Sequence, residues 1–435
     1  MSDNVPLISV VLITYQHEKY IAEAIQSILD QTFENFELLI VNDGSTDRSD
    51  EIIRNFTDSR ITYIYQENQG PSAATNKGIL ASRGKYIALM SGDDVCYHQR
   101  LEVQYQYLSD SGKKIVFSWV DFIDGDSQPF VGQHFAQSYF NHPNRTQSEI
   151  LNWFFMKGNY LCAVTALIEK RVLLEAGLFN LSSIQIQDFA MWIKLVKKYD
   201  ICIIEEQLVK YRILPKAGNL SGNPANSIRI IFELHQIYRN LLDDIPIEIF
   251  KSSFIGLIKN PQFVGDYEYE LEKAFLHLNH SAIWSQSIGA EKLFSLLQNE
   301  NSLIVAKSKY NFDLPKLYEL NKDVDLTNIK SQLQLQYTQS ELERSQSQLQ
   351  YTQSELERSQ SQLQYTQSEL ERLQSQLEQT QSELNRSQSQ LQYTQSELER
   401  SQSIILTMED SKFWKLRKMW FLLKNIFPQI KIKAQ

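Results

Sequence analysis

The chain has 435 residues, room for two or more domains, and 42% of them are hydrophobic, so a sizeable core is expected. Its formal net charge of −9 argues against a general nucleic-acid footprint. Three scattered cysteines (Cys96, Cys162 and Cys202) make neither a CxxC pair nor an even-numbered disulfide framework, which fits a reducing cytoplasm.

The opening residues, Met1-Ser-Asp-Asn-Val-Pro6, lack a basic region followed by an apolar stretch, so no signal peptide is expected. No apolar run approaches the roughly 18–20 residues needed to span a bilayer. Residues 1–225 read as one α/β unit. Strand-like runs are expected at Leu7–Ile13, Phe36–Val41, Ile61–Tyr65, Tyr86–Met90 and Ile115–Ile123. Between the first two, Ile21, Ala24, Ile25 and Ile28 share one face at helical spacing. After Asp43, a cap signal at Ser45, Thr46 or Asp47 precedes Ile52, Ile53 and Phe56. Alternating strands and helices predict a largely parallel sheet. Residues 226–330 read as a helical subdomain without a chemical motif; Ile230, Leu234, Ile237 and Leu241 follow one helical face.

From 331 to 403 the composition changes. A 14-residue unit recurs, Ser-Gln-Ser-Gln-Leu-Gln-Tyr-Thr-Gln-Ser-Glu-Leu-Glu-Arg, and leucine falls every seventh residue from Leu335 to Leu398. Seven residues is the coiled-coil period, and the segment holds no Gly or Pro. Glu341–Arg344 and Glu355–Arg358 are spaced as i,i+3 pairs. Two frames are open. With leucine at d, every a is Gln; with leucine at a, every d is Ser or Thr apart from Leu373. Either seam is polar, so a coiled coil supporting a homo-oligomer stands beside a solvated helix of about 100 Å. The tail, 404–435, sets seven basic residues (Lys412, Lys415, Arg417, Lys418, Lys424, Lys431 and Lys433) against Glu409 and Asp410. Phe413, Leu416, Trp420, Leu423 and Phe427 share a helical face, which suits an anionic membrane surface or docking on protein.

The residues fit for chemistry lie where apolar segments end. Val41-Asn-Asp43-Gly-Ser-Thr-Asp47 and Leu89-Met-Ser-Gly-Asp93-Asp94 each run from a buried strand into an acidic turn. In an open α/β sheet, ligands collect at the carboxyl ends of strands. Acids there can accept a nucleoside hydrogen bond or hold a hard divalent cation. Asp188 precedes a helical face of Phe189, Trp192, Ile193 and Val196, so it reads as an N-cap or a general base. The histidines lack zinc-helix spacing, and no Walker loop is found.

These motifs, in this order, resemble the family 2 inverting glycosyltransferases. The resemblance rests on Ile8-Ser-Val-Val-Leu-Ile-Thr-Tyr15, the Asp43 turn, Asn68-Gln-Gly70-Pro-Ser-Ala-Ala-Thr-Asn76-Lys-Gly78, the Asp93-Asp94 turn, and Gly177-Leu-Phe-Asn180 with Gln187-Asp188-Phe-Ala-Met-Trp192. It covers about the first 215 residues. It implies a GT-A (Rossmann-like) mixed sheet flanked by helices, here followed by the helical region and the heptad repeat. It implies transfer from a nucleotide-sugar donor, expected to be a UDP-sugar, to a glycan or lipid-linked acceptor at the cytoplasmic membrane face. In the family pattern Tyr15 and Asp43 seat the base, Asp93 and Asp94 hold Mn²⁺ or Mg²⁺ beside the diphosphate, and Asp188 is the catalytic base. Trp192 and Arg212 fall at acceptor-side positions. Three departures stand out: Ser91 where the metal motif has its first Asp, Thr75 where an arginine is common, and Gln187 in place of Glu. They motivate an alternative, an inactive transferase-like scaffold that oligomerises through the repeat.

Overall fold

The computed structural model describes residues 5–214, 227–323 and 329–426. Eight strands form one mixed sheet: β1 (Ile8–Thr14), β2 (Phe36–Asp43), β3 (Ile61–Gln66), β4 (Tyr86–Ser91), β5 (Val95–Cys96), β6 (Ile115–Ile123), β7 (Leu167–Glu169) and β8 (Cys202–Arg212). Their order is β3-β2-β1-β4-β7-β6-β8-β5. The first four are parallel, β7 runs antiparallel to β4 and β6, and β6 pairs in parallel with β8. The five strands expected from hydrophobic runs are all present. The short β5 and β7 add the antiparallel pairings, and β8 extends the sheet in parallel with β6.

Period-two alternation divides the core between the two faces of the sheet. Val10, Leu12, Leu38 and Ile40 pack with the Ile21–Leu29 helix on one face. Val11, Ile87, Leu89 and Phe117 pack on the other with Phe154, Phe155 and Trp192. Tyr238, Leu241, Phe250 and Phe254 of the helical region join that second cluster, so the region shares its core with the sheet. Residues up to Leu335 accordingly form one compact unit. The boundary expected at 225/226 lies outside the described residues.

The second unit begins at Gln336. Its main element is the Ile329–Asp410 helix, 82 residues long, followed by the Lys412–Ile426 helix. Phe427, Lys431 and Lys433 of the tail lie outside the described residues. Among the described residues, no helix is long and apolar enough to cross a membrane.

Candidate functional site

Registers bring the acidic turns to one level. Ile13 of β1 pairs with Val41 of β2 and with Ser91 of β4. Asp43 and Asp93 each lie two residues further on, flanking the end of β1. Strands sit about 4.8 Å apart, so the two turns are about 10 Å from each other. The loop after β1 is tied to the loop after β2. Gln16, at φ 60°, donates its backbone N–H to Ser45 Oγ (3.1 Å), and its Oε1 accepts from the amides of Thr46 (3.2 Å) and Asp47 (3.1 Å). The Glu18 amide donates to Asp47 Oδ2 at 2.9 Å. On this braced loop Tyr15 stands 46% exposed, leaving a ring face open to a ligand.

Asp43 is buried, and its carboxylate organises the turn ahead of the Pro71–Ala81 helix. Oδ1 accepts from Gln66 Nε2 (2.6 Å) and the Gln69 amide (2.9 Å), and Oδ2 accepts from the Gly70 amide (2.9 Å). A carboxylate offers about four acceptor sites, so one remains for a base N–H. The adjoining Gly44 has φ +76°, and a Cβ there would stand 2.6 Å from the Asn68 backbone nitrogen. The chain can therefore turn here only without a side chain.

Asp93 and Asp94 face different ways. Ser91 Oγ donates to Asp93 Oδ1, and His17 Nε2 stands 3.9 Å from Oδ2. The Thr14 hydroxyl is 3.3 Å from the other His17 ring nitrogen. Asp94 turns inward, where Oδ1 accepts the Arg212 backbone N–H at 2.8 Å. Burial, reinforced by the Asp93 charge, pushes the Asp94 carboxyl well above its ordinary range. Of the two, Asp93 faces the His17 side of the turn and Asp94 lies behind it. Among the described residues no cluster of three His, Cys, Asp or Glu could hold a metal. An ion here would take Asp93, with His17 beside it, and complete its shell from diphosphate oxygens. Mg²⁺ is commonly bound in that way in nucleotide sites, so the residues present fit an ion held jointly with its nucleotide.

Asp188 is the second residue of the Gln187–Val196 helix. Its Oδ2 accepts from Asn159 Nδ2 at 3.1 Å and its Oδ1 from the Phe189 amide at 2.7 Å. Burial pushes its pKa up to about 6, against the opposing pull of the Phe189 amide and Asn159. Two side chains that no motif pointed to fix this corner. Asn159 binds Asp188 directly. Glu233, buried on the Ser227–Leu241 helix, accepts the amides of Ile184, Gln185 and Ile186 at 3.0–3.1 Å and so caps the segment leading to Asp188. The Pro71–Ala81 helix braces the same segment. Asn76 exchanges hydrogen bonds with the Phe179 backbone (2.8 and 2.9 Å), and Ser72 Oγ donates to Ser183 O. The buried Cys162 thiol feels both Asp94 and Asp188, though burial is the larger cause of its raised pKa. Both acids thus lie within electrostatic reach of one buried thiol.

Two expectations are corrected. Trp192 is fully buried, edge-on to Phe117 (4.9 Å) and Phe179 (6.1 Å), so its indole offers no face for a sugar. Arg212 does not face an acceptor either. Fully buried, it donates to Glu23 Oε2 (2.6 Å), Asp93 O (2.7 Å) and Asp124 O (2.8 Å), and its guanidinium lies over Tyr20. It clamps the Asp93-Asp94 turn from behind. Thr75 is buried, and the Lys77 ammonium reaches Tyr65 O at 3.5 Å. The groove lined by Pro6, Glu34, Phe36, Arg60 and Arg83 sits at the opposite ends of the strands and contains none of the candidate residues.

The model of Glycosyl transferase family 2 matches residues 9–176, the segment that holds the Asp43 and Asp93-Asp94 turns. An uncharacterized glycosyltransferase of Methanocaldococcus jannaschii is 33% identical over 242 residues, covering 54% of this chain and 80% of the relative. The chain belongs to glycosyltransferase family 2. Glycosyltransferase GlyG of Streptococcus pneumoniae serotype 4 is 33% identical to this family 2 chain over 181 residues, or 40% of this chain and 60% of GlyG. Among solved structures, S. aureus TarS 1-349 in complex with UDP-GlcNAc aligns with a TM-score of 0.48 at 17% identity, covering 77% of this chain and 92% of TarS 1-349. A likeness that distant assigns no ligand to this transferase. The two curated relatives cover 54% and 40% of this chain, and TarS 1-349 covers 77%.

Proposed function

We propose that this glycosyltransferase moves a sugar from a UDP-sugar to a hydroxyl of a glycan or lipid-linked acceptor, with inversion at the anomeric carbon. The observation that carries the reading is Asp188, a carboxylate with its pKa raised to about 6, held by Asn159 at a braced helix start. A base poised near the working pH suits removal of a proton from an attacking hydroxyl. Direct displacement needs only this one carboxylate, as the base for the attacking hydroxyl, whereas a covalent intermediate needs a nucleophilic one.

In this scheme Tyr15 stacks on the base and the free acceptor site of Asp43 receives the N–H of uracil. A divalent ion, Mn²⁺ or Mg²⁺, when bound, supplies positive charge beside the departing diphosphate. Asp93 holds that charge, with Asp94 and Arg212 fixing its turn from behind. The acceptor oxygen attacks the anomeric carbon, Asp188 takes its proton, and the nucleoside diphosphate leaves from the opposite face. We place the reaction in the cytoplasm. The Lys412–Ile426 helix has five basic and no acidic residues and exposes Phe413, Leu416, Trp420 and Leu423, which favours peripheral contact with an anionic membrane.

The test is a panel of nucleotide sugars with Mn²⁺, scored by thermal shift and then by product anomer in NMR. A UDP-sugar should stabilise the protein most and give the inverted anomer. Retention of configuration would end the direct-displacement reading.

A further inference from the structure

We propose that the Ile329–Asp410 helix pairs with the same helix of a second copy of this chain, parallel and in register. Its leucine stripe runs from Leu335 to Leu398, and each described member is between 49% and 68% exposed. So long a row of exposed leucines marks an interaction surface. The heptad period says that its occupant is another helix.

Two breaks in the repeat select the frame. Leu373 stands three residues after the stripe residue Leu370. Met408 stands three residues after Ile405, which continues the stripe. The two pairs are 35 residues apart, a whole number of heptads. Three-residue spacing is the step from a to d, so the stripe occupies a, and Leu373 and Met408 occupy d. With leucine at d, both additions would fall at g, outside the seam. Both pairs are exposed along their whole length.

The remaining d positions are Ser or Thr, and the structure shows why the threonines do not spoil a seam. Thr352, Thr366, Thr380 and Thr394 each donate their hydroxyl to the carbonyl four residues earlier, at 2.8 Å. Closing the seam strands none of these donors, and the Cβ methyl groups remain available to pack.

Seam packing, together with charge, selects the orientation. In this frame every e from Gln339 to Gln402 is glutamine, while g alternates Glu and Gln from Glu341 to Glu397. In a parallel pair, g of one helix faces e of the other, so each carboxylate meets an amide. In an antiparallel pair a faces d, which sets the stripe leucines against Ser or Thr, and g faces g, which in one of the two heptad registers sets carboxylates against carboxylates. The 14-residue repeat alone would tolerate a slip of one unit. Such a slip sets Leu373 against Ser359 or Ser387, and Met408 against Thr394, so these two residues lock the register.

The experiment uses the full chain, whose three native cysteines are buried. Light scattering should give twice the chain mass, and Leu356→Glu with Leu363→Glu should return it to one. Under mild oxidation Ser359→Cys, at d, should cross-link to its own copy. Ser361→Cys, at f, should do so at least 10-fold more slowly. A mixture of Ser345→Cys and Ser359→Cys chains should give little mixed disulfide by mass spectrometry. Leu373→Ser with Met408→Ser should raise that mixed product several-fold. A monomer or trimer mass, equal cross-linking at Ser359 and Ser361, or a mixed disulfide as abundant as the self-paired one would overturn the proposal. None of these outcomes bears on the glycosyltransferase reading, which rests on the first 335 residues.

Discussion

Residues before Leu335 and residues after it satisfy their polar groups in opposite ways. In the globular unit a buried acid finds distant and specific partners. Asp43 binds the amides of Gln69 and Gly70, and Glu233 binds three amides some 47–49 positions away. In the extension, hydroxyls turn back on the carbonyl four residues earlier, and charges pair at i,i+3, as in Arg372–Glu369. Long-range satisfaction fixes one geometry and can hold a reactive group in place. Local satisfaction leaves a helix complete in itself, with its apolar face unspent. The difference teaches that chemistry is confined to the first region, and substitutions can break that division or sharpen it.

The largest effect is expected at Asp188. Asp188→Asn should lower kcat by about 10²–10⁴-fold, the range for loss of a general base, while UDP affinity by calorimetry stays within twofold. Transfer at the wild-type rate would remove Asp188 from the mechanism. Next comes Asp43→Asn, which removes charge-assisted bonds to a loop and to the base; UDP affinity should fall about 10–100-fold. Gly44→Ala follows. It forces a side chain into the left-handed region and against the Asn68 backbone, so chemical denaturation should show a loss of about 1–3 kcal/mol.

A subtler test uses pH. The folded pKa of Asp188 lies near 6, above the ordinary 3.8 of an unfolded aspartate, so the native state holds the extra proton between them. Its stabilising contribution is complete below about pH 4 and is lost as pH rises through 6. Asp188→Asn should therefore stabilise the protein at pH 7.5, on the order of 2–3 kcal/mol, relative to its effect at pH 4. Wild-type kcat should climb through pH 6 to a plateau as the base is freed. A flat profile would assign proton removal to another group. The smallest effect belongs to the extension: Leu356→Ser should leave kcat for a soluble acceptor unchanged within about 20%. A larger loss would show that catalysis depends on the repeat.

The sheet and its acids were readable because each motif is local. An apolar run of four to eight residues followed by Asn-Asp-Gly or Gly-Asp-Asp announces a strand and its turn within a dozen positions. Asp188 was readable for the same reason, at the head of a helical face. That face also placed Trp192 among Phe189, Ile193 and Val196, and burial there outweighed the attraction of an indole for a sugar. Arg212 misled because its partner Glu23 lies 189 residues away, and no local pattern says that a strand-end arginine will be buried. Asn159 and Glu233 left no signal for the same reason. Each acts on the Asp188 segment across 29 to 49 residues, a distance only the tertiary fold closes.

Among the described residues, no side chain of the long repeat belongs to a buried hydrophobic cluster. Insertion or loss of one 14-residue unit would shift the far end of the rod by about 21 Å at 1.5 Å per residue, and would keep the heptad phase intact. Reach can thus drift in fixed increments during evolution while the folded enzyme upstream feels no strain.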